Sequence, residues 1–460
     1  MLKLTCKDIL EATGGSLLFG SLETEILRIS TDSRKIEHGD LFIPIAGERF
    51  DGHDFVQSSL EAGASAVISH KALQYAEGKT AIKVGDTRKA LADIARFYRM
   101  KFDIPFVAIT GSVGKTSTKD MVYCVMQERF NTLKTEGNFN NEIGLPLTMF
   151  NLDPSHDAGV LELGMSGFGE ISRLVSVVRP DIAIITNIGM AHIEKLGSRQ
   201  NILKAKMEIL EGLKEGGLLI LNGDDPLLHG LKDFLKVRTV FYGMDEGHDY
   251  QAYNIESHGE SGTKFEINIS QREYKVHVPV PGIHNVYNAL AAIAAGIELK
   301  IPMELVVNGI SKFTSGKMRL NIINHNGFKI INDAYNASPQ SMEAALGVLS
   351  DVASGGRTVA VLGDMLELGD WSLKAHKDLG KFAISQGIKY IITVGENARG
   401  IAEGAMTAGA EEHRVFSFEE TGKAAEFLGK FVKQGDTVLV KGSRGMKMEQ
   451  IVDKLIQTEK

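Results

Sequence analysis

A glycine-rich segment between a strand pattern and a helix pattern constrains this chain more than any other feature. The apolar run at residues 106–109 leads directly into Thr-Gly-Ser-Val-Gly-Lys-Thr-Ser at residues 110–117, and a helical pattern follows through residues 120–126. In this context, backbone N–H groups at the start of the helix can bind phosphate oxygens. The alternative is an ordinary glycine-rich turn, but the Gly-Lys-Thr-Ser sequence favours a phosphate-binding loop.

The residue types of this loop suit the binding of ATP. Glycines allow backbone N–H groups to approach phosphate oxygens because no Cβ stands in the way. Lys115 adds a positive charge, and the hydroxyl of Thr116 can bind the Mg²⁺ that accompanies ATP. The spacing departs from the full G-x-x-x-x-G-K-[ST] pattern, because position 109 is Ile and the first glycine is Gly111. The predicted ATP-binding residues of the loop are Gly111, Ser112, Val113, Gly114, Lys115, Thr116 and Ser117.

Length, charge and cysteine content limit the class of protein. At 460 residues the chain is too long for one ordinary core, and its length predicts about three domains. The net charge of −7 provides no broad basic surface, so nucleic acid is not an expected partner. The two cysteines do not indicate a disulfide framework and fit a reducing cytoplasm. No apolar run approaches the ~20 residues of a membrane span, and the charged N-terminus does not indicate a signal peptide. We expect a cytoplasmic monomer whose partners are small molecules.

Alternating strand and helix patterns predict an α/β protein with three domains. Residues 1–95 form a small first domain, residues 96–314 the second and residues 315–460 the third. The alternation in the second and third domains predicts mostly parallel sheets covered on both faces. Residues 238–281 interrupt it with hairpin-like alternation, which predicts a β extension on the central P-loop sheet. The third domain is expected to be a smaller, doubly wound, Rossmann-like sheet.

The expected elements follow these patterns. Strands are predicted at residues 25–30, 40–46, 64–69, 80–84, 106–109, 159–163, 182–186, 218–221, 328–332, 358–362, 390–394 and 437–441. Helices are predicted at residues 52–62, 88–100, 198–213, 285–296 and 340–349. Asp86 and Ser338 are the expected N-caps of two of these helices.

Three further residues are candidates for chemistry. Glu162 ends an apolar strand, where an unpaired carboxylate would be costly, so a metal-ligand role is favoured over a solvated edge glutamate. His192 follows the strand at residues 182–186, near the carboxyl edge where parallel sheets bind ligands. Taken alone, however, a histidine is more often a structural hydrogen-bonding group than a ligand. Lys206 lies on a helical segment and is, taken alone, expected to be an ordinary surface lysine.

Three polar loops are also placed to face a ligand. Residues 137–146 contain three asparagines and two glycines and follow the helix of the phosphate-binding loop. Residues 333–338 and residues 441–445 each follow a predicted strand of the third domain, where a parallel sheet presents ligands. Each loop is equally compatible with a capped turn.

These segments resemble the ATP-dependent Mur ligases of bacterial cell-wall synthesis, and the resemblance covers essentially the whole chain. Residues 110–118 are similar to the ATP loop of that family, including its shortened glycine spacing. Residues 137–147, 162–171 and 333–342 are similar to the branch that adds D-alanyl-D-alanine to UDP-N-acetylmuramoyl-tripeptide. The Asp-Asn-Pro-Arg motif of relatives that add meso-diaminopimelate is absent from the sequence, which supports the same branch.

The resemblance implies roles around ATP. Thr116, Glu162 and His192 match Mg²⁺-binding positions. Lys206 matches a lysine that family members carbamylate with CO₂, which turns its cation into a carboxylate-like metal ligand. The implied cofactors are therefore ATP, two Mg²⁺ ions and a carbamate. The implied adenine-side residues are Asn285 and Asn288, the implied phosphate-reaching arginine is Arg319, and the implied catalytic residues are Lys115, His192, Lys206 and Arg319.

The resemblance also implies substrate contacts. The first domain would bind the UDP-sugar, the second would bind ATP and the third would bring the dipeptide. Substrate contacts implied in the first two domains are Ser30, Asp32, Ser33, Arg34, Arg49, Asp51, Asn138, Asn140 and Asn141. Those implied in the third domain are Asp333, Tyr335, Asn336, Ser338, His376, Lys441 and Arg444.

The implied reaction is ATP-dependent formation of a peptide bond through an acyl phosphate, with release of ADP and phosphate. It belongs to peptidoglycan precursor synthesis and thus to cell-wall biogenesis, cell shape and cell division. One alternative is another amide ligase of the superfamily, either a different Mur step or a folylpolyglutamate synthase. The other is a P-loop nucleotide switch or transport ATPase. Because an acyl phosphate hydrolyses in water, the third domain is expected to move as a rigid body about residues 314–318.

Overall fold

The computed structural model of the chain describes residues 1–47 and 50–457. Arg49, one of the predicted substrate contacts, lies outside the described residues. Strands and helices alternate along most of the chain, so the predicted α/β class is confirmed. No helix in the described ranges is both long enough and apolar enough to cross a membrane.

The strands fall into three groups along the chain. The first group comprises β1 (Leu4–Thr5), β2 (Ser16–Phe19), β3 (Glu25–Ile26), β4 (Arg28–Ser30), β5 (Asp40–Phe42), β6 (Ala66–Ser69) and β7 (Thr80–Lys83). The second comprises β8 (Phe106–Thr110), β9 (Thr132–Lys134), β10 (Ala158–Glu162), β11 (Ile182–Ile185), β12 (Leu218–Asn222), β13 (Arg238–Gly243), β14 (Tyr250–Ser257), β15 (Thr263–Ile269) and β16 (Arg272–Val278). The third comprises β17 (Asn321–His325), β18 (Phe328–Asp333), β19 (Arg357–Gly363), β20 (Tyr390–Val394), β21 (Val415–Phe418) and β22 (Asp436–Lys441).

The helices lie between these strands. The first are α1 (Cys6–Thr13), α2 (Val56–Glu61) and α3 (Thr87–Arg99). They are followed by α4 (Lys115–Met126), α5 (Gly144–Met149), α6 (Glu170–Val178), α7 (Ile193–Leu196), α8 (Arg199–Met207), α9 (Pro226–His229), α10 (His284–Glu298) and α11 (Met303–Ser311). The last are α12 (Pro339–Ala353), α13 (Ser372–Ser385), α14 (Arg399–Thr407), α15 (Thr421–Phe431) and α16 (Glu449–Gln457).

The strands form four sheets in which most neighbouring pairs are parallel. The two smaller sheets have the orders β1-β3 and β2-β7-β6-β5-β4, and the two larger have the orders β16-β15-β14-β13-β12-β11-β8-β10-β9 and β17-β18-β22-β19-β20-β21. Pairs such as β18–β22 and β19–β22 are parallel and far apart in sequence, so helices must cross over between them. The antiparallel pairs β14–β15 and β15–β16 correspond to the predicted β extension.

Internal contacts divide the chain into two compact units, each built from several segments. The first unit contains residues 1–109, 130–183 and 207–217, and the second contains residues 110–129, 184–206 and 218–460. The domain boundaries after residues 95 and 314 therefore remain a prediction.

Each unit has its own apolar core. In the first unit, side chains from β5, β6, β7 and α2 pack together: Phe42, Val56, Leu60, Ala64, Val67 and Ala81. In the second unit, the six-stranded sheet is covered by α15 and α16, with buried residues that include Val359, Val361, Val438, Leu428 and Leu455. Central strands such as β12 are buried along their whole length, as continuous apolar runs predict for parallel sheets.

Both predicted N-caps are confirmed. The Asp86 carboxylate accepts hydrogen bonds from the N–H groups of Arg88 and Lys89 at 2.7 and 3.0 Å. Ser338 forms a capping box with Ser341, and Pro339 occupies the first turn of α12, where its missing N–H costs nothing.

The structure corrects several predicted boundaries. The strand predicted at residues 25–30 is two strands, because Glu25–Ile26 pairs with β1 whereas Arg28–Ser30 pairs with β5 in a different sheet. The strand predicted at residues 40–46 ends at Phe42, shortly before Pro44, which has no N–H for a ladder. The helix predicted at residues 52–62 begins as a 3₁₀ turn (Gly52–Phe55) before α2. The helix predicted at residues 198–213 ends at Met207 and continues as a 3₁₀ turn (Glu208–Gly212). Short strands β1, β2, β9, β17 and β21 were not predicted.

Candidate functional site

The loop between β8 and α4 has a backbone that only glycine fits at two positions. A Cβ on Gly111, whose φ is +153°, would lie 1.8 Å from the hydroxyl oxygen of Thr186. Gly114 has a φ of +86° and is the N-cap of α4. The two glycines therefore let the loop pass close to a neighbouring strand end and then turn into the helix.

The segment that follows β11 holds this loop in place. The N–H of Ser112 donates to the Asn187 carbonyl and the N–H of Val113 donates to the Asn187 side-chain oxygen, each at 3.0 Å. The Val113 carbonyl accepts from the Thr186 hydroxyl at 2.6 Å and from the Asn187 amide at 2.9 Å. Four hydrogen bonds to two residues make the loop a pre-formed cradle rather than a flexible turn.

The polar groups of the loop are arranged for an anion. The Lys115 ammonium donates to the carbonyls of Gly111 and Ser112 at 2.8 and 3.3 Å, so its charge is held across the mouth of the loop. The Ser112 hydroxyl is buried and has no hydrogen-bond partner within the described part of the chain. Thr116 and Ser117 lie in the first turn of α4, where N–H groups and the helix dipole favour negative charge.

Lys206, on α8, is a buried residue rather than the surface lysine that its local sequence suggested. Its side chain is 2% exposed. Burial holds the pKa of its ammonium well below the usual range, and the positive charge of Lys115 lowers this pKa further. No carboxylate in the described ranges lies within ion-pairing distance of Lys206. The environment therefore favours a neutral amine, which is the form that reacts with CO₂.

His192 lies immediately before α7 and shares this environment. Burial lowers the pKa of its imidazole, Glu367 opposes that shift, and the ammonium groups of Lys115 and Lys206 add to it. The His192 Nδ1 is 2.5 Å from an Oε2 of Glu367. The second unit therefore brings Lys115, His192 and Lys206 together close enough to affect one another electrostatically.

Asn285 and Asn288 form a buried chain of amides on α10. The Asn288 side-chain oxygen accepts from the Thr118 hydroxyl at 2.9 Å, and its amide donates to Asn285 at 2.9 Å. The Asn285 amide in turn donates to the Pro281 carbonyl at 2.8 Å. These contacts couple the helix of the phosphate-binding loop to α10, which is a structural role in addition to the implied adenine contact.

Glu162 belongs to the first unit and ends β10. Its side chain is 3% exposed, and one carboxylate oxygen accepts from the Asn140 amide at 2.7 Å. The neighbouring Asn141 instead accepts from the N–H groups of Ile143 and Gly144 at the start of α5, while Asn138 is exposed. One of the three predicted asparagines therefore contacts the predicted metal ligand, and another closes the turn that leads into α5.

The predicted UDP-side residues occupy two turns of the first unit. The Ser30 hydroxyl accepts from the N–H of Asp32, and Arg34 binds both carboxylate oxygens of Asp32 at 2.8 and 3.0 Å. The Arg34 side chain lowers the pKa of Asp32 to about 2. Ser33 opens the same short 3₁₀ turn.

A second turn holds Asp51. Its carboxylate accepts from Lys71 at 2.6 Å and contacts His53 at 2.7 Å. The lysine contact is the largest of the effects that hold the pKa of Asp51 below its usual range.

Several predicted contacts of the C-terminal sheet are engaged with one another. The Lys441 ammonium donates to the Asp333 carboxylate at 2.5 Å and to the Asn336 carbonyl at 2.9 Å. Both charged side chains are buried, so this pair holds the loop after β18 in shape. The Arg319 guanidinium stacks 4.1 Å from the ring centroid of Tyr335.

Three other predicted contacts have structural partners. His376 is fully buried: its Nε2 accepts from the N–H of Met365 at 3.0 Å and its Nδ1 donates to the Ser372 carbonyl at 2.7 Å. This geometry favours support of the loop after β19 over direct contact with a substrate. Ser338 is the cap of α12, and Arg444 is paired with Glu449 at 3.0 Å.

Sequence reasoning missed four residues around the loop. Thr186 and Asn187 clamp it, and Glu367 contacts His192. Asp225 accepts from the N–H of Ile188 at 2.7 Å and caps α9, which fixes the course of the segment between the clamp and His192. The position of Thr186 and Asn187 directly after an apolar strand was a usable signal, whereas nothing local marked Glu367.

The described ranges contain no group of three or more His, Cys, Asp or Glu side chains placed to hold a metal ion. The implied ligand set includes two such residues, Glu162 and His192, and adds a threonine hydroxyl and a lysine. Mg²⁺ prefers oxygen ligands and leaves several coordination positions to water and phosphate. The implied ligand set therefore fits Mg²⁺ only if Lys206 is converted into an oxygen donor.

Three family models match successive parts of the chain. The model described as "Mur ligase family, catalytic domain" matches residues 25–99. The "Mur ligase middle domain" matches residues 109–296, and the "Mur ligase, glutamate ligase domain" matches residues 318–444.

Individual relatives agree with these models. The chain is 42% identical over 461 residues to UDP-N-acetylmuramoyl-tripeptide--D-alanyl-D-alanine ligase of Bacillus subtilis (strain 168), covering 100% of this chain and 99% of the relative. It is 34% identical to the ligase of that name from Escherichia coli (strain K12), with 98% of each chain covered. A crystal structure of MurF from Acinetobacter baumannii superposes with a TM-score of 0.92 at 34% identity, over 99% of both chains. MurF ligase of Thermotoga maritima in complex with ADP superposes with a TM-score of 0.84 at 28% identity, covering 94% of this chain and 97% of the other. The chain belongs to the Mur ligase family.

Proposed function

We propose that this chain is an ATP-dependent ligase that joins UDP-N-acetylmuramoyl-tripeptide to D-alanyl-D-alanine during peptidoglycan precursor synthesis. The observation that carries the proposal is the grouping of Lys115, His192 and a buried Lys206 beside a clamped phosphate-binding loop. The names of the relatives from Bacillus subtilis and Escherichia coli supply the substrates. The proposed site of action is the cytoplasm, where the chain would act as a monomer in cell-wall growth, cell shape and division.

The chemistry requires activation of a carboxylate, because its oxygen is a poor leaving group. An oxygen of the tripeptide carboxylate attacks the γ-phosphorus of ATP, and the bond from that phosphorus to the β-γ bridging oxygen breaks to release ADP. The amine of D-alanyl-D-alanine then attacks the acyl carbon of the resulting acyl phosphate. Collapse of the tetrahedral intermediate expels phosphate, and the amine loses its proton. No nucleophile from the protein is needed, so catalysis consists of positioning and charge neutralisation.

The phosphate-binding loop performs most of this work. The N–H groups of Ser112 and Val113 donate to Asn187, so the phosphate oxygens would be bound by the N–H groups at the start of α4. The Lys115 ammonium, now on the carbonyls of Gly111 and Ser112, would turn to the phosphates of ATP and offset the charge of the transferring group. Arg319 would add a second positive charge at the phosphates, and Asn285 with Asn288 would border the adenine.

Two Mg²⁺ ions complete the proposed site. Thr116 and Glu162 would hold one, and His192 with carbamylated Lys206 would hold the other. When bound, these ions neutralise phosphate charge and polarise the transferring phosphoryl group. Carbamylation of Lys206 is supported by its burial, by its lowered pKa and by the absence of an ion pair with any carboxylate that the structure describes.

The substrate contacts are proposals from the family resemblance. The UDP end and the peptide would meet Ser30, Asp32, Ser33, Arg34, Arg49, Asp51, Asn138, Asn140 and Asn141. The dipeptide would meet the loops that carry Asp333, Tyr335, Asn336, Ser338, His376, Lys441 and Arg444. Of these, Lys441 and His376 would act by holding the loops after β18 and β19 in shape, since their polar atoms bind groups of those loops.

The test is a coupled assay of phosphate release. Purified chain with ATP, Mg²⁺ and UDP-N-acetylmuramoyl-tripeptide should release phosphate rapidly only when D-alanyl-D-alanine is added. Release with a single amino acid or with a folate substrate instead would indicate another ligase of the superfamily. Release that needs neither acceptor nor UDP-peptide would indicate a nucleotide switch or transport ATPase and would refute the proposal.

A further inference from the structure

The loop after β19 is held rigidly against the six-stranded sheet. The N–H of Met365 donates to His376 Nε2 at 3.0 Å, and the N–H of Leu366 donates to the Ser443 hydroxyl at 2.9 Å. The Asp364 side chain accepts from the N–H of Ala398 at 2.7 Å. The next residue after these anchors is Glu367, which projects from the loop with its side chain half-exposed.

Glu367 contacts the residue that the proposed function uses as a metal ligand. Its Oε2 lies 2.5 Å from Nδ1 of His192 as an ion pair, and this buried nitrogen has no hydrogen-bond partner among the residues that the structure describes. The Glu367 carbonyl also accepts from the N–H of Glu194 at 3.3 Å. Gly369 packs against the same turn, where a Cβ would lie 3.2 Å from Cγ of Glu194. The loop therefore meets the start of α7 through side chain, backbone and van der Waals contacts.

Both residues of the contact have unusual backbones. His192 has a φ of +64° and Glu367 a φ of +62°, a left-handed region in which glycine is unstrained and asparagine, aspartate and histidine are enriched. The glutamate side chain gains nothing locally from that conformation. The backbone of Glu367 therefore indicates that this position is held by what its side chain contacts rather than by the turn.

We propose that Glu367 is a positioning residue that orients His192 for the cation of the ligase site. A carboxylate at Nδ1 stabilises a proton on that nitrogen, which leaves the lone pair of Nε2 for a metal ion. Because Glu367 belongs to the loop after β19, the oriented imidazole exists only while that loop is seated on α7. The site would thus be completed by seating of the C-terminal sheet. The metal-binding consequence rests on the proposed function, whereas the orientation of the imidazole does not.

The experiment compares two Glu367 variants with a matched control. Glu367→Asn shortens the side chain and suits the left-handed backbone, so a loss cannot be attributed to strain. Glu367→Gln keeps the length and an acceptor oxygen. Asp370→Asn removes an exposed carboxylate from the neighbouring turn and serves as the control. Circular dichroism and thermal unfolding would verify that all four proteins are folded.

Two readouts separate positioning from a merely structural role. The first is nitrogen-15 NMR of the imidazole without nucleotide or metal, at a pH where it is neutral, with the signal assigned by its absence in His192→Gln. The wild type, Glu367→Gln and Asp370→Asn should carry the proton on Nδ1, and Glu367→Asn should show mixed tautomers. The second is Mn²⁺ binding to the ADP-loaded protein by electron paramagnetic resonance, which should weaken roughly 10- to 100-fold in Glu367→Asn alone.

A failure of the positioning role of Glu367 can be distinguished from a failure of the proposed ligase function. Unchanged tautomer and unchanged Mn²⁺ affinity in Glu367→Asn would overturn the positioning role even if the ligase assay succeeds. A failed ligase assay with the tautomer change present would leave the orientation in place and remove only its assigned purpose. An altered tautomer with unchanged Mn²⁺ affinity would refute the link to the cation.

Discussion

The close approach of Gly111 to Thr186 leads to a quantitative prediction for Gly111→Ala. The added Cβ would lie 1.8 Å from the threonine oxygen, whereas non-bonded heavy atoms prefer about 3.5–4.0 Å. The threonine must therefore rotate away and release the Val113 carbonyl that it binds at 2.6 Å. The lost hydrogen bond costs about 1 kcal/mol, since the Asn187 amide still donates to that carbonyl at 2.9 Å, and the φ of +153° adds strain of about 1–3 kcal/mol for any residue with a Cβ.

Together these effects amount to about 3 kcal/mol, which corresponds to a loss of roughly 100-fold in ADP affinity if the loop must regain its shape to bind. Isothermal titration of ADP into the purified variant measures this loss directly. Gly216→Ala is the control, since Gly216 also has a positive φ (+74°) but no atom within 4 Å of the added Cβ. It should bind ADP as the wild type does.

A double-mutant cycle with Thr186→Ala tests the cause. Thr186→Ala alone removes one hydrogen bond and should cost about 1 kcal/mol. In that background Gly111→Ala should be milder by about 1–2 kcal/mol, because the oxygen is gone but the Cβ of residue 186 remains 3.0 Å away. Strictly additive effects, or ADP affinity unchanged in Gly111→Ala, would refute the steric reasoning.

Four further predictions follow from the site and the core. Lys115→Ala should abolish ADP formation while circular dichroism and thermal unfolding stay close to wild type; substantial turnover would contradict its role at the phosphates. Lys206→Ala should lose activity that added short carboxylates partly restore, and full turnover without them would refute the carbamate. Small-angle scattering should change when an ATP analogue and the UDP-peptide are added together, and superimposable profiles would argue against movement about residues 314–318. Burial raises the pKa of Cys6 from 9.0 to about 12, so between these values its thiol stays protonated in the folded state while the unfolded chain ionises. The free energy of unfolding should therefore fall as pH rises through this range, and less steeply in Cys6→Ala. Parallel plots of unfolding free energy against pH for the two proteins would contradict this.

The phosphate-binding loop was predictable because its chemistry is local. The residues that shape the loop, Gly111, Gly114 and Lys115, lie within one turn, so their spacing in the sequence is enough to predict its conformation. The parallel sheets could also be predicted from the sequence, since continuous apolar runs such as residues 218–221 are typical of strands buried on both faces.

The residues that were missed or misjudged depend on contacts distant in sequence. Lys206 reads as a surface lysine because the helix around it is polar, and only the packing of the second unit shows that it is buried beside Lys115. Glu367 meets His192 across 175 positions of sequence, counted from 192 to 367. His376 is a plausible ligand by residue type, but its two ring nitrogens are engaged by backbone groups of Met365 and Ser372. The sequence pattern predicts local secondary structure, whereas the roles of these residues depend on which side chains the tertiary fold brings together.

The transfer of the terminal phosphoryl group of ATP to a carboxylate can be followed by labelling that carboxylate with oxygen-18. If the tripeptide forms an acyl phosphate, the phosphate released on addition of D-alanyl-D-alanine carries one labelled oxygen and the new amide keeps the other, as mass spectrometry would show. Unlabelled phosphate, with both heavy oxygens still on the peptide, would mean that water attacks ATP and that this chain does not make the bond we assign to it.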